Sequence, residues 1–483
     1  MSETFTLCSL TELRDALRRN DLSPVELTQA YLERIDRLNP TLHAYLDVYA
    51  DAALSIARAS EARLASGLPT GLLEGVPVAL KDLLDIEGRR TTAGSTVHAS
   101  REAARRSSTV AARLMNAGAI PLGKTHLVEF AFGGWGTNAG LGTPRNPWDM
   151  RAHRAPGGSS SGSAVAVAGG LAAGAIGTDT GGSVRIPSAF CGLTGLKTTQ
   201  GRVSTFGCEY VSHTLDTIGP MAWTAEDAAL LLQVIHGPDP LEATTLCRGP
   251  EDFLAGLRGP VAGLRISVPA RQSLGHVEDA VWEAVSLAAL VLEELGCLRT
   301  DDAFAGVDFV ADQEATGVII ACEAFAHHGA LLGGTLLPGD PAARARVLRG
   351  GSIPAAGYID ALRHRVARQR QFVSLFEQTD VLVLPTVPVT APTLERIDEA
   401  DLSHSRLTRF VGYYGLSAIA LPCGLSHDGL PMSLQLVAAP FKEALLLRMG
   451  AAFQKRTEHH QQRPAMATTA PARGLRPPAC RDG

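Results

Sequence analysis

Two serine-bearing strings and one lysine hold the densest chemistry in this 483-residue chain. The first string is Pro156-Gly157-Gly158-Ser159-Ser160-Ser161-Gly162-Ser163, and the second is Asp179-Thr180-Gly181-Gly182-Ser183-Val184-Arg185. A serine hydroxyl is a weak nucleophile until a base takes its proton, and a neutral lysine can be that base. Lys81 ends the apolar run Val76-Pro77-Val78-Ala79-Leu80, where burial would depress its pKa. The plain alternative is a surface charge, or an ion pair with Asp82 or Asp85.

The serine strings admit other readings. A Gly/Ser linker is one, but this string runs straight into Ala164-Val165-Ala166-Val167-Ala168, which suits close burial. A phosphate-cradling P-loop fails, because the nearest match, Gly192 to Thr198, has Leu196 where the glycine before the lysine must stand. Gly158-Ser159-Ser160-Ser161-Gly162 satisfies G-x-S-x-G, with Ser160 as the nucleophile of a strand-to-helix elbow. That elbow needs an apolar strand just before it, and Met150 to Pro156 does not read as one. On residue types alone, the elbow and the two-serine-plus-lysine reading both stay open.

The elements that must position these groups follow from pattern. Ser23-Pro24-Val25-Glu26 reads as a capping box opening a helix whose stripe is Leu27, Tyr31, Ile35 and Leu38. Gly75 to Lys81 reads as a buried strand. Thr224 and Asp227 cap a further helix, and Val277 to Leu295 is amphipathic. Strands are expected at Leu264–Val268, Val381–Leu384, Ala418–Pro422 and Met432–Val437. This alternation implies a mostly parallel or mixed sheet with helices on both faces. We expect an N-terminal helical segment over 1–70, one α/β domain over 71–460 with its catalytic core at 75–235, and a loose Pro/Ala/Arg-rich tail over 461–483.

Composition bounds the rest. Hydrophobic residues make up 45% and charged residues 19%, which excludes disorder for most of the chain. A net charge of −5 offers no footprint for nucleic acid or an anionic membrane. The eight cysteines are scattered with no CxxC pair, against a zinc ribbon or a disulfide framework. The opening Met1-Ser2-Glu3-Thr4 lacks the basic and apolar regions expected of a signal peptide, and the nearest approach to a membrane span, Ser163 to Gly177, is too short. A cytoplasmic location is expected. The pairs His327-His328 and His459-His460 lack neighbouring ligands at metal spacing, so no metal is expected. Twelve of the 49 glycines fall between Gly157 and Gly201, so the glycine excess belongs to the serine-rich centre.

The stretch Gly157 to Pro187 resembles the signature of the amidase signature family. GVPVALKD at 75–82, GAIPLGKTHLVEFAFG at 118–133, TPRNPWD at 143–149, VLVLPTVP at 381–388 and LPCGLSHDGLPMSLQLV at 421–437 extend the resemblance over roughly residues 8–455. It implies a large mixed, mostly parallel sheet sandwiched by helices, and a Ser–cis-Ser–Lys triad. Carried over by position, Lys81 is the base, Ser159 the bridging serine after a cis bond, and Ser183 the nucleophile that forms an acyl-enzyme. Backbone N–H groups of Thr180, Gly181, Gly182 and Ser183 form the oxyanion hole, with Ser160, Asp179 and Arg185 in support. Ser161 and Ser163 are expected to cap the following helix, Thr178 to support the same loops, and Cys191 to be core. No cofactor is implied.

The implied activity is cleavage of a carboxamide C–N bond, aryl amides and carbamates included, by a free-standing enzyme. The alternative is the glutaminase (A-type) subunit of a tRNA-dependent amidotransferase. Phe132, Trp135, Tyr413 and Tyr414 are the candidates for an apolar substrate pocket. The expected partners are a small amide-like substrate and at most a second copy, with no nucleic acid and no membrane.

Overall fold

The computed structural model describes residues 3–67, 69–300, 303–332 and 339–468. Eleven strands form one sheet: β1 (Tyr45–Val48), β2 (Pro77–Lys81), β3 (Ile120–Thr125), β4 (Gly174–Asp179), β5 (Thr194–Lys197), β6 (Thr217–Ala222), β7 (Arg265–Ser267), β8 (Leu298–Arg299), β9 (Val381–Pro385), β10 (Ser417–Leu425) and β11 (Pro431–Ala438). Their order across the sheet is β1-β3-β2-β4-β6-β5-β10-β11-β9-β7-β8.

The expected α/β architecture is present, but the sheet differs in one respect from the expected parallel majority. Parallel pairing is confined to β3-β2-β4 on one side and β9-β7-β8 on the other. The centre, from β4 through β6, β5, β10 and β11 to β9, is antiparallel throughout, as is β1 against β3. Alternation of strands and helices along a chain does not fix pairing direction. Part of the difference was readable: β10 and β11 are joined by Asp428-Gly429, with Gly429 at φ 75, which turns the chain back on itself.

β2 is buried at every position because it pairs in parallel with a neighbour on each side. The helix Ser161–Ala168 packs against β2, β3, β4 and β6 and is buried on every face. Small residues make that approach possible. A Cβ at Gly162 would stand 2.4 Å from both the Ala44 carbonyl and the His126 nitrogen. The Gly/Ala/Ser texture of 157–201 is therefore a packing requirement.

Ser23 caps the helix Pro24–Leu42, accepting from the N–H groups of Val25 and Glu26. Its hydroxyl donates to Glu61, and the return bond to Glu26 is not among the described contacts. Thr224 and Asp227 do form both halves of a capping box. Asp227 also accepts from Thr11 N–H and Oγ at 2.8 Å each, fastening the N-terminal helices to the body. At the other terminus, the Arg463 guanidinium lies 3.6 Å from the centre of the Trp223 ring and donates to the Leu7 carbonyl. Ala467 is buried and accepts from Arg34. Residues 463–467 are thus packed on the body; of the expected tail, 469–483 lie outside the described residues. The helix Gln313–Leu332 is long and apolar enough, by length and composition, to cross a membrane; it packs against the helices Pro341–Arg349, Ala355–Ser374 and Arg406–Tyr413.

Candidate active site

Lys81 lies fully buried at the C-terminal end of β2. Its Nζ donates to Ser159 Oγ at 2.7 Å and to Thr178 Oγ1 at 2.8 Å. The ion pair that sequence left open goes elsewhere. Asp82 pairs with Lys124 of β3 at 3.1 Å, and Asp85 accepts from Thr91. Burial lowers the Lys81 ammonium to about 7, against the opposing pull of Cys208, Asp216 and Asp179. A third buried lysine, Lys197 of β5, spends its protons on the carbonyls of Thr198 and Leu416 and does not reach the serines. The three lysines share one sheet, and only Lys81 meets hydroxyl groups alone.

The Gly158–Ser159 peptide bond is cis. Val128 N–H donates to the Ser159 carbonyl at 3.2 Å, and Ser160 N–H donates to the Ser183 carbonyl at 3.2 Å, tying the two serine strings together. Ser160 Oγ accepts from Thr178 N–H at 3.3 Å and is fully buried against β4. That placement disposes of the elbow reading, which needs an exposed hydroxyl there. Ser161 and Ser163 do not cap the helix, because the helix begins at Ser161 itself. Ser163 hydrogen-bonds Thr125 at 2.7 Å, and Ser161 Oγ has no hydrogen-bond partner among the described residues.

Ser183 sits in the turn between β4 and the short helix Arg185–Phe190. It is 9% exposed where Ser159 is 0%, so Ser183 is the serine a substrate can reach. Asp179 and Arg185, both fully buried, hold this turn. Arg185 makes two bonds of 2.9 Å to the Asp179 carboxylate, and donates to Gln435 of β11 and to the Thr408 carbonyl. Burial alone would raise the Asp179 pKa, but the Arg185 guanidinium outweighs it and the carboxyl is held below its usual range. The remaining lone pairs of Asp179 accept from Gly182 N–H at 2.8 Å and Val184 N–H at 3.2 Å. This corrects one expectation. Gly182 N–H points to Asp179 and is not available to an oxyanion, whereas the N–H groups of Gly181 and Ser183 have no partner among the described residues. Thr180 Oγ1 donates to Asp216, whose carboxylate also accepts from Val211 and Ser212 N–H.

A small cavity opens over Ser183, lined by Thr180, Gly181, Ile186, Val211, Ile320, His404 and Arg409 among others. Of the four aromatic candidates only Phe132 lines it. Trp135 is packed in a small separate cluster, parallel to Phe190 and tilted against His404, with its indole N–H shared between the carbonyls of Asp398 and Asp401. Tyr413 and Tyr414 face the core; Tyr414 stacks on Phe372 at 4.2 Å and its hydroxyl donates to Asp312. The stripe of the helix Arg406–Tyr413 decides this, for its apolar side packs inward and leaves Arg409 toward the cavity. Arg409 and His404 were missed by sequence reading. The Arg409 guanidinium forms no hydrogen bond or ion pair among the described residues, and burial, with Arg346 nearby, lowers its pKa to about 10. Burial holds the His404 pKa to about 3, and its Nδ1 has no hydrogen-bond partner among the described residues. An arginine in the same short segment as the aromatic cluster was the available signal. Cys191 is a buried core thiol, as expected, pushed up by burial.

Comparison with known proteins adds what geometry does not. The family described as Amidase matches residues 26–447. The chain is 38% identical to the A-type subunit of the glutamyl-tRNA(Gln) amidotransferase of Chloroflexus aurantiacus, covering 95% of this chain and 98% of that one. It superposes with a TM-score of 0.87, at 32% identity, on a solved chain from a vestigial protein complex described as revealing the origins of an s-triazine catabolic enzyme; 93% of this chain and 99% of that chain are covered. A bacterial aryl acylamidase of the amidase signature enzymes gives 0.86 at 26% identity, over 96% and 99%. These findings favour the subunit reading over the free-standing one. They also overturn the expectation of no nucleic acid and at most a second copy as partner. One relative is named as part of a tRNA-directed enzyme and another comes from a protein complex. Net charge describes only this chain's average surface, and in a multi-subunit enzyme the RNA need not touch the chain that holds the amide site.

Proposed function

Because the chain belongs to the amidase family, whose members act on amide C–N bonds, we propose that it hydrolyses a carboxamide through an acyl-enzyme on Ser183, as the glutaminase (A-type) subunit of a tRNA-dependent amidotransferase. The observation that carries the chemistry is the 2.7 Å contact between a buried Lys81 and Ser159. With its pKa near 7, Lys81 is partly neutral at physiological pH. It takes the proton of Ser159, and Ser159 takes that of Ser183 as Ser183 Oγ attacks the carbonyl carbon. Catalytic hydrogen bonds such as that between Ser183 and Ser159 often tighten only with substrate bound. The oxyanion that forms accepts from Gly181 and Ser183 N–H, donors of the kind worth about 2.7–4 kcal/mol each. Ser159 returns a proton to the departing amine, ammonia for a primary amide. Water then attacks the acyl carbon and releases the carboxylic acid and Ser183.

The subunit reading rests on the full-length likeness, and Arg409 supports it. An unpartnered guanidinium in the cavity over Ser183 suits a substrate that carries a carboxylate away from its amide, as glutamine does. The test is hydrolysis of glutamine by the chain alone and together with the companion subunits of a glutamyl-tRNA(Gln) amidotransferase. Turnover that rises with the companions present supports the proposal. Faster turnover of an aryl anilide than of glutamine by the isolated chain would overturn it, in favour of the free-standing hydrolase to which the likeness to an aryl acylamidase points.

A further inference from the structure

The loop from Cys208 to Asp216 walls the cavity through Val211 and holds Thr180 through Asp216. Two residues before Val211, the Glu209 carboxylate meets three histidines that the mechanism does not use. Its Oε1 lies 3.9 Å from His98 Nε2, 4.0 Å from His328 Nδ1 and 3.0 Å from His327 Nε2, while its Oε2 accepts from Arg101 at 2.7 Å. The side chains of His98, Glu209 and His328 are 8%, 9% and 0% exposed.

The protonation of His328 follows from its other nitrogen. Nε2 is 2.9 Å from the Tyr210 carbonyl, which can only accept, so Nε2 carries the hydrogen and Nδ1 presents a bare lone pair. That lone pair is aimed at a carboxylate oxygen with no hydrogen between them. His328 Nδ1 and His98 Nε2 are both buried polar atoms without a hydrogen-bond partner among the described residues. Buried polar groups are almost always satisfied, and two orphans converging on one carboxylate ask for a cation. The three donor atoms all lie within 4.8 Å of one another. An imidazole held by a backbone carbonyl through its far nitrogen is the ordinary support of a metal-binding histidine.

We propose that His98, Glu209 and His328 bind a divalent transition-metal ion of the zinc class, with His327 closing the shell from the solvent side, and that the ion clamps the cavity-walling loop to its neighbours. Two or three imidazoles with one carboxylate suit zinc or cobalt, whereas calcium and magnesium require oxygen ligands. Donors at roughly 2.0–2.1 Å from a tetrahedral ion stand about 3.3 Å apart, so the pairs at 3.9 and 4.0 Å close by roughly 0.6 Å on binding, and the two histidine nitrogens, within 4.8 Å of one another, by up to about 1.5 Å. Phe130 lies against His328, ring centres 4.4 Å apart, and meets His98 edge-on, giving the site an apolar wall. The ligands join three separate segments: the 3-10 turn Thr96–His98, the loop at Glu209, and the helix Gln313–Leu332. Distance along the chain explains why the His327-His328 pair looked ligand-poor in sequence.

The experiment is a cobalt(II) titration of the full chain after stripping with a chelator, read by the visible ligand-field band and by bound-metal analysis. One equivalent taken up by the native chain, released by zinc and lost in His98→Gln and His328→Gln, is the expected result. Circular dichroism identifies variants that retain the native fold. Should His328→Gln not fold, His98→Gln, in a short turn, decides alone. No stoichiometric uptake by the native chain, or uptake undiminished in a folded variant, overturns the proposal. Because the readout is metal binding, it is independent of whether glutamine or any other amide is turned over.

Discussion

At Lys81, one position of difference along a strand and one neighbour decide between a charge and a base. Lys124 is equally buried on the adjacent strand but pairs with the Asp82 carboxylate at 3.1 Å. Lys81 faces only the hydroxyls of Ser159 and Thr178. If Lys81 is the base, its neutral form is the active one, so hydrolysis should climb about tenfold per pH unit below about 7 and level off above it. A pH profile of kcat/KM checks this, and in Lys81→Met the residual rate should lose that limb. Ser183→Ala should abolish the acyl-enzyme that mass spectrometry would trap with a slow substrate, and leave the circular dichroism unchanged. These three positions were legible in sequence because each lies in a compact local string. The pocket was not. Whether Tyr413 or Arg409 faces substrate depends on which side of the helix Arg406–Tyr413 meets the core, and that is settled by partners such as Phe372, far off along the chain.

Among the elements, the turn bearing Ser183 is braced by the Asp179–Arg185 pair, which reaches four of them. β4 supplies Asp179, the short helix supplies Arg185, the helix Arg406–Tyr413 offers the Thr408 carbonyl, and β11 offers Gln435. A buried ion pair contributes little net stability when intact, yet loss of one partner leaves an uncompensated charge and costs about 3–5 kcal/mol. Arg185→Met should therefore lower the unfolding free energy by about that amount, measured from the urea midpoint. A loss under about 1 kcal/mol, of the order found for exposed pairs, would contradict that bracing role. The sequence places both residues correctly beside Ser183, but neither β11 nor the helix Arg406–Tyr413 could be seen to converge on them. The helix caps show the same division: Thr224 and Asp227 form their box, while at Ser23 the hydroxyl donates to a tertiary neighbour, Glu61, and the return bond to Glu26 is not among the described contacts.

Across the whole molecule, the strands expected from sequence (β2, β7, β9, β10 and β11) lie where expected, whereas β1, β3, β4, β5, β6, β8 and the strand directions were not read. Hydrophobic runs mark where strands lie; which strand each one joins is fixed by packing between parts of the chain that periodicity never compares. Partnership was misjudged for a similar reason, since composition averages a surface whose functions are local. The three lysines at the ends of β2, β3 and β5 have a further use at this scale. The chain has only five lysines, and the other two, Lys442 and Lys455, are exposed. An amine-reactive label applied briefly to the folded protein should therefore modify Lys442 and Lys455, while Lys81, Lys124 and Lys197 acquire mass only when the sheet opens. Site-resolved mass spectrometry across a denaturant series would then report the parting of β2, β3 and β5 individually, and the order in which those three labels arrive would show whether the sheet comes apart as one body or from one edge.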